Sequence, residues 1–388
     1  MKSDTGDELI RQGYERVLRA RLNDANFFFK NDRLVPLLSR VEALKKVVYQ
    51  EKLGTSYEKM ERFKSIALWL DSYLNLNKNT TISEVALLSK ADLMSEMVYE
   101  FPELQGLMGS YYALFEGKEE SVSKGIYEHY LPRFAGDDLP STIEGAIVSI
   151  ADKLDTISGA FAIGMIPTGN LDPYGLRRSA IGILSICEKF SFRIDYRELV
   201  EFSLSLFEEK IKFNKREVAE KVINFIFQRW KQLLISKDMV DSEVFDAIID
   251  KSSDPIALQQ LATIITKERN SQEFQIIAGS FKRINNILKK NNWHDTEYNI
   301  NLFQSDEEKI VAHHIDKQHI DNFLKNEQYK EALEELLKFA PAVNDFFDKV
   351  MVMAEDEEVR INRLSLIARL RKVFMSIGNF DNITIKDK

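Results

Sequence analysis

Apolar residues along this chain recur at intervals of three and four, the spacing that gathers them on one face of an α-helix. From Ile143 the stripe continues through Ile147, Ile150, Leu154, Ile157 and Phe161; from Val218 it continues through Val222, Phe225, Trp230, Leu233 and Leu234. Tyr329, Leu333, Leu336 and Leu337 form another stripe, and Val343, Phe346, Phe347, Val350 and Met351 form one more after Pro341, predicting two helices joined at the proline. Short polar side chains mark the helix starts. Thr81 with Glu84, Ser141 with Glu144 and Asn214 with Glu217 read as capping boxes, and Asp172 before Pro173 reads as an N-cap with proline in the first turn. These are helical spacings and not strand alternation, so the predicted fold is all-α and multidomain.

Composition narrows the partners. The 388 residues carry 53 Lys and Arg against 61 Asp and Glu, a net charge of −8, so a nucleic-acid ligand requires positive charge concentrated locally. The one cysteine, Cys187, excludes an intramolecular disulfide and a Cys-based zinc set, and it suits a reducing cytoplasm. The amino terminus has no apolar signal core, and no run of about 18 apolar residues occurs. A cytoplasmic location without a membrane partner is expected. Punctuation along the chain suggests three helical blocks, 1–205, 206–265 and 266–388.

Few residues present themselves for chemistry. Of the five histidines, His313, His314 and His319 cluster, but the separation of five between the last two fits metal ligation poorly, and surface or packing roles are expected. Asp92, Asp152 and Asp155 flank apolar stripes; they could recruit Mg²⁺ with a phosphate substrate, or could lie on solvated helix faces, the reading preferred here. The loop 164–173 has no GxxxxGK[ST] pattern, although Arg177 and Arg178, just beyond it, could reach a backbone phosphate. Lys282, Arg283, Lys289 and Lys290 lie in a stretch free of acidic residues, where phosphate contact is plausible. At 100° per residue Arg363 falls inside an apolar stripe between Leu370 and Phe374, which calls for an internal ion pair or, less economically, a ligand-facing cleft.

Several runs, in order, carry a resemblance over nearly the whole chain: ERVLRARLNDANFFF at 15–29, FPELQGLMG at 101–109, HYLPRFAGDDLP at 129–140, ADKLD at 151–155, DPYGLRR at 172–178, KRINNIL at 282–288 and FFDKVMVM at 346–353. The chain resembles the carboxyl-terminal half of the β subunit of bacterial tetrameric glycyl-tRNA synthetases. That resemblance implies an HD-like helical domain over 1–205, a helical linker over 206–265 and a DALR-type anticodon-binding domain over 266–388. DEEVRINRL at 356–364 stands in the signature region of the last, with Arg360 at the motif's arginine.

The resemblance further implies a noncatalytic tRNA-binding part of a synthetase. Its partners would be tRNA(Gly) and an α subunit in an α2β2 assembly, with no DNA. ATP and Mg²⁺ would be used at the α subunit, so no cofactor and no metal are expected in this chain. Lys282, Arg283, Lys289, Lys290, Arg177 and Arg178 are the expected phosphate contacts. Arg360 and Arg363 are expected to serve the anticodon loop or a supporting ion pair. In the HD-like region Lys90-Ala91-Asp92 stands where a His-Asp pair would be, and Asp152 or Asp155 matches the later aspartate, so Asp92, Asp152 and Asp155 are expected to be vestiges of a metal site. Two alternatives stay open, a metal-dependent phosphohydrolase and a pure assembly module.

Overall fold

The computed structural model describes residues 4–169 and 171–385. Among these the chain is α-helical apart from short 3₁₀ turns, one isolated bridge and one antiparallel pair of strands, Val48–Gln50 with Gly54–Thr55. It divides into two compact units, the first ending at Arg229 and the second beginning at Trp230. No helix of the described residues is long and apolar enough to cross a membrane.

In the first unit the helix Ile143–Ala162 is central. Its predicted stripe is buried, with Ile147, Ile150, Leu154 and Ile157 fully so, but the opposite face is also covered, through Ala146, Ser149, Ala160 and Gly159. A helix apolar or small on nearly every side can be enclosed by neighbours. Here Ser56–Tyr73, Glu120–Glu128 and Leu176–Phe190 pack around it.

Three of the expected caps shift. Thr142, not Ser141, stands directly before Ile143–Ala162 and caps it by accepting from Gly145 N, while Glu128 accepts from the N–H and hydroxyl groups of both Ser141 and Thr142. Glu144 then pairs with Lys78 at 2.8 Å and accepts from Thr81, which lies inside the helix Asn79–Leu88, two residues past its start, and so does not cap it. Asp172 does satisfy a helix start, but across a turn: its carboxylate accepts from Leu176 N and Arg177 N, and the helix Leu176–Phe190 begins three residues later than Pro173 suggested. Asn214 caps as expected, accepting from Glu217 N.

The core of the second unit is aromatic. Phe281 and Phe274 meet Phe380 edge to face, and Phe374 meets Phe339, all at least 99% buried. These residues join Gln272–Lys290, Ala340–Lys349 and Glu357–Ile377. Each such ring stabilises the unit by roughly 1.5–3 kcal/mol through burial. Pro341 lies in the first turn of Ala340–Lys349, just after Tyr329–Leu337, as the two stripes predicted, but the second helix ends at Lys349 and leaves Met351 exposed.

Candidate nucleic-acid interface

Ser271 caps the helix Gln272–Lys290 by accepting from Phe274 N. Its buried face, Phe274, Ile277, Phe281, Ile284 and Leu288, leaves Lys282, Arg283, Lys289 and Lys290 outside the core. Their surroundings differ. Lys282 donates to the carbonyl of Ile383 at 2.6 Å, and the Arg283 guanidinium lies 4.5 Å from the ring centre of Phe347. Lys289 and Lys290 are exposed in the last turn and make no ion pair among the described residues.

Just past them Asn291 Nδ2 donates to Sδ of the exposed Met353 at 3.6 Å. Trp293 stands beside this turn, its indole N–H bonded to the carbonyl of Asp295. Free ammonium groups next to soft apolar side chains can hold a phosphate and an unstacked base together.

Arg360 and Arg363 share the helix Glu357–Ile377 but not a role. Arg360 is half-buried and donates to the carbonyls of Ala354 and Glu355, holding the turn that leads into its helix. Arg363 is buried and carries the internal ion pair its position called for: Nε lies 2.9 Å from Glu308 Oε1, and Nη1 donates to the carbonyl of Met351. Glu308 also closes a capping box with Ser305. Burial opposes the charge on Glu308, yet the bonds from Arg363 and from the N–H groups of Gln304 and Ser305 hold its carboxyl below the usual range.

The three aspartates of the first unit are not on solvated faces. Asp92 and Asp155 are buried, which corrects the surface reading; Asp155 is satisfied by cations, while Asp92 is bonded only through Oδ2 and its Oδ1 has no hydrogen-bond partner. Asp155 meets Arg62 at 2.7 Å and Lys59 at 3.2 Å. Asp152 lies between Lys59, 2.7 Å from Oδ1, and Lys90, 2.8 Å from Oδ2. Although burial opposes its charge, Lys59 and Lys90 hold the Asp152 carboxyl well below the usual range. Asp92 Oδ2 accepts from Gly106 N and Gly109 N, while burial pushes its pKa up to about 6. Among the described residues no group of three or more His, Cys, Asp or Glu is placed to hold a metal ion. His314 packs 5.3 Å from Phe339, and His313 and His319 are exposed.

Arg177 and Arg178 belong to the first unit. Arg177 donates to the carbonyl of Gly169 at 2.7 Å, and Arg178 reaches the carbonyl of Arg133 at 3.4 Å. Residues 2–250 match the family model described as the glycyl-tRNA synthetase beta subunit. The chain belongs to the glycyl-tRNA synthetase beta subunit family. Residues 277–387, which hold the free lysines and both Arg360 and Arg363, match a second model, the DALR anticodon binding domain.

Among curated relatives, the glycine–tRNA ligase beta subunits of Citrifermentans bemidjiense and of Geobacter sp. strain M21 are each 44% identical over 381 residues, 97% of this chain and 55% of theirs. That of Geobacter metallireducens is 42% identical over 377 residues, 97% of this chain and 54% of its own. The chain thus spans about half the length of these beta subunits.

Lys59, Arg62, Glu308 and His129 were missed by sequence reading. Lys59 lies one helical turn before Phe63 and Arg62 one turn before Ile66, so a cation inside an apolar stripe, the signal that exposed Arg363, was present for them too. Ser305-x-x-Glu308 was likewise a readable capping box. His129, fully buried after a helix end, offered no such mark.

Proposed function

We propose that this chain supplies the tRNA-binding part of a glycine–tRNA ligase. In this reading its second unit engages the anticodon arm of tRNA(Gly), and an α subunit, in an α2β2 assembly, glycylates the tRNA with ATP and Mg²⁺. The observation that carries it is the coincidence of the anticodon-binding-domain match over 277–387 with the exposed pair Lys289 and Lys290, followed by Asn291, which bonds Met353. Lys289 and Lys290 take backbone phosphates, Arg283 and Lys282 flank them, and Arg360 shapes the loop that faces the anticodon. Arg363 acts from inside, by holding that loop through Met351 and Glu308.

The polar cluster of the first unit is structural in this reading and not a hydrolase centre. A metal-assisted hydrolase needs carboxylates free to ligate, whereas Asp152 and Asp155 face Lys59, Lys90 and Arg62. The chain itself then uses no cofactor. Filter binding of tRNA(Gly) against a copy with an altered anticodon tests the main reading: a clear preference for the unaltered tRNA is expected, and equal affinity overturns it. Stoichiometric uptake of Mn²⁺ or Zn²⁺ with nucleotide turnover would establish the hydrolase instead.

A further inference from the structure

A cavity of about 240 Å³ opens in the first unit between residues 129–133, the helix Ile143–Ala162 and the first turn of Leu176–Phe190. Its wall carries two arginines, Arg133 and Arg178, and Lys153, whose pKa burial lowers to about 7, against one carboxylate, Asp152. That carboxylate is taken, since Lys59 and Lys90 lie 2.7 and 2.8 Å from its two oxygens. Asp152 therefore does not cancel the arginines, while the start of the helix Leu176–Phe190 is already capped by Asp172 and adds little.

Arg178 is held ready without being neutralised, whereas Arg133 is shared with Asp137. Arg133 Nη2 donates to the hydroxyl of Tyr127 at 2.8 Å, and its Nε is only 3.4 Å from Asp137. Arg178 is exposed and pairs with no carboxylate among the described residues; Nη1 touches the carbonyl of Arg133. Gly175 makes room for it. This residue has φ +64°, and a Cβ there would lie 2.8 Å from Arg178 Nη2, so a side chain would push the guanidinium away.

A second observation limits what can bind. His129 lines the same cavity and is fully buried. Its Nδ1 lies 2.5 Å from the carbonyl of Ile126, which can only accept, so Nδ1 carries the hydrogen. Burial, with the positive charge of Lys90, keeps the ring neutral. Nε2 is then a bare acceptor, and it has no partner. Buried polar groups are normally satisfied. The missing partner has to bring a hydrogen, while Arg133 and Arg178 ask for anionic oxygens.

We propose that this cavity binds a phosphomonoester group, with Arg133 and Arg178 on its anionic oxygens and its P–O–H donating to Nε2 of His129. The second pKa of such a group, about 6, keeps the P–O–H form accessible at neutral pH. Sulfate and the internal diesters of RNA carry negative oxygens but no such hydrogen. The inference does not depend on the anticodon reading, which concerns the other unit.

The test uses the full chain and titrates inorganic phosphate, AMP and sulfate at constant ionic strength, followed by ³¹P NMR and by calorimetry. Saturable binding of one phosphate or AMP per chain is expected, with sulfate weaker by about tenfold or more, as a site built around a hydrogen bond rejects an analogue that lacks it. Arg178→Ala, at an exposed position, should fold as the parent by circular dichroism and weaken phosphate by about tenfold.

A short RNA with a 5′-phosphate is compared with the same RNA ending in a 5′-hydroxyl. Competition by the phosphorylated RNA alone assigns the group to an RNA end, and saturation by AMP assigns it to a free nucleotide; both support the site. Equal binding of sulfate and phosphate, equal competition by the 5′-hydroxyl RNA, no saturation in the millimolar range, or an unchanged affinity in folded Arg178→Ala overturns it.

Discussion

Replacing Arg363 by methionine keeps most of the side chain's volume and removes only its charge and donors. Four contacts go: Nε to Glu308 Oε1 at 2.9 Å, Nη2 to Oε2 at 3.4 Å, Nη1 to the carbonyl of Met351 at 2.9 Å, and Nη2 to Gln304 Oε1 at 3.4 Å. Glu308, with 0% exposure, is left charged in the interior. Breaking a buried pair from one side costs about 3–5 kcal/mol. Glu308 Oε2 retains the N–H groups of Gln304 and Ser305 at 2.9 and 2.8 Å, which points to the lower end, about 3 kcal/mol.

For a unit of this size that is a fall in Tm of roughly 6–12 °C. Calorimetry reads it, and hydrogen exchange in the helix Glu357–Ile377 assigns it to the second unit. Glu308→Gln still accepts from both N–H groups, so the double variant should be more stable than the two single losses add up to, by about 1–3 kcal/mol. The acid side gives an independent check. Because Glu308 is held below its ordinary pKa, the pair's contribution is present above the unfolded carboxylate value and is lost as pH falls through the folded one, so parent and Arg363→Met should converge in acid. A cost under about 1 kcal/mol, the size of a surface pair, would refute the argument.

Lys289→Ala with Lys290→Ala should weaken tRNA(Gly) binding and lower its salt slope by about 1.5, as two released counterions require; an unchanged slope in filter binding removes both residues from the interface. Asp155→Ala strands Arg62 inside the first unit, while Lys59 keeps Asp152, and should cost about 3–5 kcal/mol in urea unfolding, whereas a near-neutral effect would mean that the cluster is solvated. Lys153 is pulled down to about 7, chiefly by burial, with Lys90 and Lys59 adding to the effect against Asp152. A depressed lysine contributes fully above its unfolded pKa and loses that contribution as pH falls through the folded one, so the first unit should weaken from about pH 10 toward 7. Lys153→Met should flatten that part of the profile in urea midpoints, and parallel profiles for parent and variant would contradict the assignment.

Apolar spacing alone predicted the helices Ile143–Ala162, Lys215–Ser236, Tyr329–Leu337 and Ala340–Lys349, because a helix that buries one face must repeat every three or four residues whatever it packs against. The same arithmetic put Arg363 among buried positions and so called for an ion pair. The partner could not be named, since Glu308 is 55 residues away and becomes a neighbour only through the packing of Asp306–Lys317 on Glu357–Ile377. Caps failed for the same reason. A helix start is read locally, yet which residue begins the helix is fixed by the fold. Ile143–Ala162 starts later and Asn79–Leu88 earlier than the expected caps Ser141 and Thr81 required, while Glu128 and Lys78 reach Ser141, Thr142 and Glu144 from other segments.

The order of its motifs made the family of this chain legible, together with its helical class and the positions where charge concentrates. Tertiary structure decided which of those charges are used up. Lys59, Lys90 and Arg62 are bound to buried aspartates, Arg363 is bound to Glu308, and Lys289 and Lys290 remain open to a ligand. The physical reason is that a charge's availability depends on what lies within a few ångströms of it, and in a folded chain those neighbours come mostly from segments far away in sequence.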